Sequence, residues 1–120
     1  MSPSQNFIVD WDSLAENFDN DKFAIALVVD AFLESASESL DKVRQAVQSG
    51  EGKAIAMTAH SLKGAILNFG AQMAVSQAQA LENHGYGEPG GNAKELFAGL
   101  EQSVAQLVAE LNNESHRYRE

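Results

Sequence analysis

Apolar residues recur every three or four positions along most of this chain, and the strict alternation of half-buried strands is nearly absent. The clearest stripe is Ile25, Val29, Phe32, Ala36, Leu40, Val43 and Val47, which predicts one long helix over 21–49 with a single buried face. Lys42 and Arg44 fall toward its end, where cations suit the helix dipole. The turn-prone run Asp19-Asn20-Asp21 precedes it, and Gly50 and Gly52 punctuate the chain behind it. Upstream, Asp10-Trp11-Asp12-Ser13 offers capping side chains for a short helix over 11–18. Residues 1–9 form a loose lead-in, with Phe7, Ile8 and Val9 able to pack on the body.

A further helix is predicted over 53–68, with Gly70 just past its end. The next spans 71–83 and carries Met73, Ala74, Ala78 and Leu81. The run from His84 to Gly91 is too rich in glycine to continue it and predicts a loop. Asn92 and Glu95 have capping-box spacing, opening a last helix over 92–114 whose Leu96, Leu100, Val104, Leu107 and Leu111 face inward. The polar tail 115–120 is expected to fray. Short connections between long amphipathic helices imply an all-α fold, an antiparallel up-down four-helix bundle with a short additional N-terminal helix. At 120 residues it forms one domain, 1–120.

Composition narrows the function by exclusion. There is no cysteine, so disulfides, thiolate nucleophiles and cysteine-bound metals are out. No apolar run is long enough to cross a bilayer, and MSPSQNF lacks a signal-peptide pattern, so a cytoplasmic protein is expected. The net charge of −9 opposes binding to nucleic acid or to an anionic membrane. It does not choose among protein partners.

The helix over 53–68 is where the pattern becomes specific. With Leu62 at the centre of the buried face, Ile55, Ala59, Ile66 and Phe69 fall within about 60° of it at ~100° per residue. His60 falls at about 160°, away from the core. Lys53, Ala56, Met57, Lys63, Gly64 and Leu67 surround it on the outward side. That face carries no carboxylate in a chain with 17 acidic residues, and it sets apolar Ala56, Met57 and Leu67 where solvent should be. Gly64, mid-helix at a cost of about 1 kcal/mol against Ala, clears space one turn beyond His60. A docking surface with an accessible imidazole is the economical account. A neutral imidazole nitrogen is a nucleophile, and the Lys63 ammonium suits a phosphoryl group placed on it.

These residues resemble a known family. The run Ala59-His60-Ser61-Leu62-Lys63-Gly64 through Gly70-Ala71 fills every position of the histidine-containing phosphotransfer (HPt) signature, A-H-x-L-K-G, five residues, then G-A. The resemblance implies a phosphorelay carrier without autokinase activity. It would accept a phosphoryl group on His60 from a receiver-domain aspartate and pass it to another. Lys63 would stabilise the added charge, and Gly64 would admit the receiver. Lys53, Ala56, Met57 and Leu67 would form the docking surface. Implied partners are response-regulator receiver domains and a hybrid sensor kinase, with this chain a monomer. Mg²⁺ would belong to the receiver, and no metal or cofactor to this chain. A polar residue on the following helix commonly meets the second imidazole nitrogen. Position matching points to Glu82, with Gln79 second, whereas glutamine is the familiar residue there. A solvated Glu82 with no such contact remains open at this stage.

Two other classes compete. A di-metal bundle needs Glu-x-x-His pairs projecting inward, and the residue three before His60 is Met57. A regulatory bundle that binds a receiver without carrying phosphate is the second alternative. Of the other histidines, His84 suits a helix-terminal role and His116 lies in the tail. Trp11, with Phe7 and Phe18, is expected to pack the short helix onto one end of the bundle.

Overall fold

The computed structural model describes residues 7–88 and 90–118, and within them the side chains of Ser115 and Arg117 are excepted. Five helices follow in order: α1 (Trp11–Asn17), α2 (Lys22–Ser49), α3 (Gly52–Leu67), α4 (Gln72–Gly85) and α5 (Ala93–Glu114), then a 3-10 turn over Ser115–Tyr118. No strand occurs among the described residues. Helix α3 packs against α2 and α4, and α5 against α4 and α2, so the four long helices close into a ring with α1 on one end of α2.

Local chemistry sets the corners. Asp19 and Asn20 take left-handed φ values of 53° and 58°, which short polar side chains tolerate. Asp21 then caps α2 by accepting from the Ala24 N–H. Gly50 ends α2 at φ 75°. Asn92 and Glu95 exchange reciprocal hydrogen bonds at the start of α5, as the capping-box spacing predicts. The core fills the ring with Ile25, Val29, Leu62, Ile66, Leu81, Leu100 and Leu107, all buried. Phe32 and Phe69 meet edge to face at 5.1 Å.

Several expectations need correction. The lead-in is fastened rather than loose from Ile8 onward. The Glu110 carboxylate accepts from Ile8 N, Val9 N and Trp11 Nε1, and Asp10 N donates to Phe69 O. The tail is not wholly frayed: Tyr118 stacks on Trp11 at 5.8 Å. Residues 1–6, 119 and 120 lie outside the described residues. Of the apolar residues carried by the fourth predicted helix, Met73 is 70% exposed, because α4 buries the Ala74–Ala78–Leu81 stripe one position over. Leu40, Val47 and Leu96 are half-buried, and Phe97 takes the buried place beside Leu96. Finally, α4 continues through His84 and Gly85 instead of stopping at Asn83. The reason is packing. An added Cβ on Gly85 would lie 2.5 Å from Gly52 O and 2.6 Å from Ala56 N, so only glycine allows these two helices to meet there.

Candidate functional site: an exposed histidine on a part-buried polar chain

Helix α3 sits between α2 and α4, which fixes what its outward face shows. Ile55, Ala59, Leu62 and Ile66 are buried, and Phe69 just beyond the helix joins them, as the periodicity predicts. The His60 side chain is 65% exposed. Met57 and Leu67 stand exposed on either side of it along the helix, Lys53 is exposed at its start, and a Cβ on Gly64 would meet nothing within 4 Å. Ala56 departs from expectation. It is fully buried and cannot belong to a docking surface. It lies on the flank of α3, about 120° from Leu62, and α4 covers that flank by packing Gly85 against it. The wheel correctly separated His60 from the core but could not show on which side the neighbouring helix lies.

That same flank brings in groups the α3 face lacks. The His60 Nδ1–H donates to Glu82 Oε2 at 3.1 Å. The Lys63 ammonium pairs with Glu82 Oε1 at 2.9 Å and donates to Gln79 Oε1 at 2.8 Å. Gln79 Nε2 in turn donates to Asn83 Oδ1 at 2.8 Å. Both members of the ion pair are largely covered, with side chains 16% and 9% exposed for Lys63 and Glu82. Glu82 therefore reaches the ring, and Gln79 does not touch it but anchors Lys63. Asn83, which extends the chain, went unread in the sequence. Its spacing of four from Gln79 on one helix was the available signal.

An acceptor fixed at Nδ1 selects the neutral tautomer protonated there, which leaves the Nε2 lone pair free on the exposed side of the ring. The carboxylate is itself held in its charged form. Lys63 is the largest cause, keeping the Glu82 carboxyl below the usual carboxylate range; burial pushes it up, and the His60 contact adds to the lowering. A carboxyl with a depressed folded value stabilises the protein above its unfolded pKa, and that contribution is lost as pH falls through the folded value. Glu82→Gln should therefore flatten the acid side of the stability curve below about pH 4.5. Thermal unfolding of both proteins between about pH 7 and pH 3 measures it, and parallel curves would show that Glu82 contributes nothing to the acid limb.

Among the described residues, no three or more His, Cys, Asp or Glu side chains converge as metal ligands. None of the described helices is long and apolar enough to cross a membrane. Of the remaining histidines, His116 Nδ1 lies 2.9 Å from Asn113 O. His84 occupies the last turn of α4, and its buried Nδ1 has no hydrogen-bond partner among the described residues, so its ring caps nothing through that atom.

The family described as Hpt domain matches residues 27–116. The chain belongs to the Hpt domain family. It is accordingly a histidine phosphotransfer carrier of a phosphorelay, a class that works with receiver domains. Among solved structures it is similar to histidine-containing phosphotransfer protein B (HptB) from Pseudomonas aeruginosa PAO1, with 26% identity and a TM-score of 0.84. That likeness covers 96% of this chain and 100% of the other. No curated protein matches. The Hpt match spans α3 and α4 whole, and so takes in every member of the polar chain from His60 to Asn83.

Proposed function

We propose that His60 is the phosphoacceptor of this Hpt domain and that it reacts through Nε2. The observation that carries this is the Nδ1 contact of a solvent-exposed ring with a buried, ionised Glu82. Attack by the Nε2 lone pair on the phosphorus of a receiver aspartyl phosphate forms the N–P bond as the acyl-phosphate P–O bond breaks. The receiver carboxylate leaves with that electron pair. The Nδ1 proton stays on the ring, and the positive charge that develops there faces Glu82. The reverse sequence delivers the group to a second receiver aspartate. Lys63, held by Glu82 and Gln79 one turn from the ring, sets a positive charge beside the incoming phosphoryl oxygens without wandering.

The remaining parts are assigned on the same ground. Met57 and Leu67 form the apolar rim against which a receiver packs, with Lys53 at its edge. Mg²⁺ resides on the receiver. A hybrid sensor kinase supplies the phosphoryl group upstream, and this chain acts as a monomer in the cytoplasm.

Incubation with a phosphorylated receiver tests the proposal. The expected product is an acid-labile, base-stable label on the peptide containing His60. Tight receiver binding with no label would favour the regulatory bundle instead. Gly64→Gln tests the approach route separately. It should slow transfer at least ~10-fold, equivalent to ~1.4 kcal/mol of docking. The same change should raise helix stability by up to ~1 kcal/mol. Steady-state transfer kinetics and thermal unfolding on the one variant give both quantities, and an unchanged rate would remove the close-approach argument.

A further inference from the structure

On the edge of the ring opposite α3 and α4, helices α2 and α5 leave an open groove of about 810 Å³. Its apolar lining includes Leu33 and Leu40 from α2 and Val108 from α5, each only half-buried although packed on the core. Ala105, small and exposed, lowers the α5 wall so that another backbone can come close. A trough between two helices, lined by residues with apolar surface still to cover, is the shape into which a third helix packs.

Charge says what kind of helix. Glu34, Glu38 and Asp41 run along one ridge of α2 at spacings of four and three, and Glu101 faces them from α5. Arg44 bridges this cluster at one end, pairing with both Asp41 and Glu101 while its guanidinium lies over the Phe97 ring at 5.4 Å. Lys42 meets Glu38 only at 3.6 Å and in solvent. The open end of the trough therefore keeps an acidic wall along Glu34 and Glu38, offset only by that exposed Lys42 contact, on a protein of net charge −9. Acids spaced by four on one helix repel and destabilise it slightly unless something positive lies beside them.

We propose that the α2–α5 groove docks a basic amphipathic helix of a partner protein, its apolar stripe on Leu33, Leu40 and Val108 and its cations against Glu34 and Glu38. The Arg44 bridge closes one end and sets how far the helix runs. Because α3 and α4 form the opposite edge, the partner leaves His60 uncovered. Such a partner holds the carrier in place while receivers come and go at the histidine. The groove itself does not depend on how His60 reacts.

The probe is a synthetic 18-residue peptide with leucine at successive three- and four-residue steps and lysine on both flanks, labelled with fluorescein. Anisotropy titration should show saturable one-to-one binding, and amide shift changes should cluster on α2 and α5. Glu34→Lys/Glu38→Lys should weaken binding at least ~10-fold. Glu16→Lys/Glu88→Lys, with the same change in charge on exposed residues outside the groove lining, should alter it far less. Transfer to and from a receiver should persist with the peptide bound. Equal binding of a scrambled peptide of the same composition, equal weakening by the control pair, or shift changes centred on α3 would overturn the proposal. So would sedimentation showing that two copies of this chain associate through the groove.

Discussion

His60→Gln is expected to remove phosphoryl acceptance entirely while moving the unfolding midpoint by no more than about 2 °C. The two halves of that expectation have separate physical causes. Glutamine has no ring nitrogen with a free lone pair, so no N–P bond can form at this position. Stability is another matter, because the His60 side chain is 65% exposed and Glu82 Oε2 is its polar contact. The glutamine amide retains an N–H donor for that oxygen, and Lys63 still neutralises Glu82. An exposed substitution of this kind costs at most about 0.5 kcal/mol. Transfer assays with a phosphorylated receiver and thermal unfolding on the same preparation measure both halves. A residual base-stable label would move the acceptor elsewhere, and a large loss of helicity would make His60 a structural residue.

Much of the fold was legible because helical periodicity is a local signal. The stripe of α2 and the buried face of α3 follow from counting by three and four, and Ile25, Val29, Leu62 and Ile66 are buried as that count requires. The capping residues Asp10 and Asn92 were legible because a cap, too, is a local signal. What failed was set by other helices. Ala56 and Lys63 both lie on the flank that α4 covers, so one is buried and the other is drawn into an ion pair. A wheel drawn for α3 alone has no means of placing α4. Met73 stands exposed one position from a stripe of alanines, where small side chains blur which face is apolar. His84 and Gly85 were assigned to a loop on glycine content, whereas Gly85 is helical because contact with α3 outweighs its propensity.

The site was legible in kind before it was legible in connection. The motif gave His60, Lys63 and Gly64 together, and position matching gave Glu82 and Gln79, but the sequence could not say who touches whom. In the structure Lys63 is not a loose cation waiting for phosphate. It is fastened first to Glu82 and Gln79, and through Glu82 it bears on the tautomer of His60. A carboxylate in place of the more familiar amide at position 82 makes that arrangement possible, because a neutral amide would give the largely covered ammonium no opposite charge.

Gly85→Ala is expected to destabilise the protein by about 3 kcal/mol, the upper part of the range for overpacking. In a domain of this size, that lowers the unfolding midpoint by roughly 10 °C. The methyl group would lie 2.5 Å from Gly52 O, 2.6 Å from Ala56 N and 3.0 Å from Ala56 Cα, all of them backbone atoms of α3 that no rotamer change can move aside. Relief requires α3 and α4 to separate, and these two helices carry the contacts from His60 to Glu82 and from Lys63 to Glu82 and Gln79. The variant should therefore lose transfer rate as well as stability, even under conditions where it remains folded. Gly64→Ala is the internal control on the facing helix α3, since its methyl group meets nothing within 4 Å. There the ordinary helix propensity should prevail and stability should rise by up to ~1 kcal/mol. Denaturant unfolding of the two variants side by side decides the matter, because equal gains from both would mean that α3 and α4 do not rely on glycine to meet.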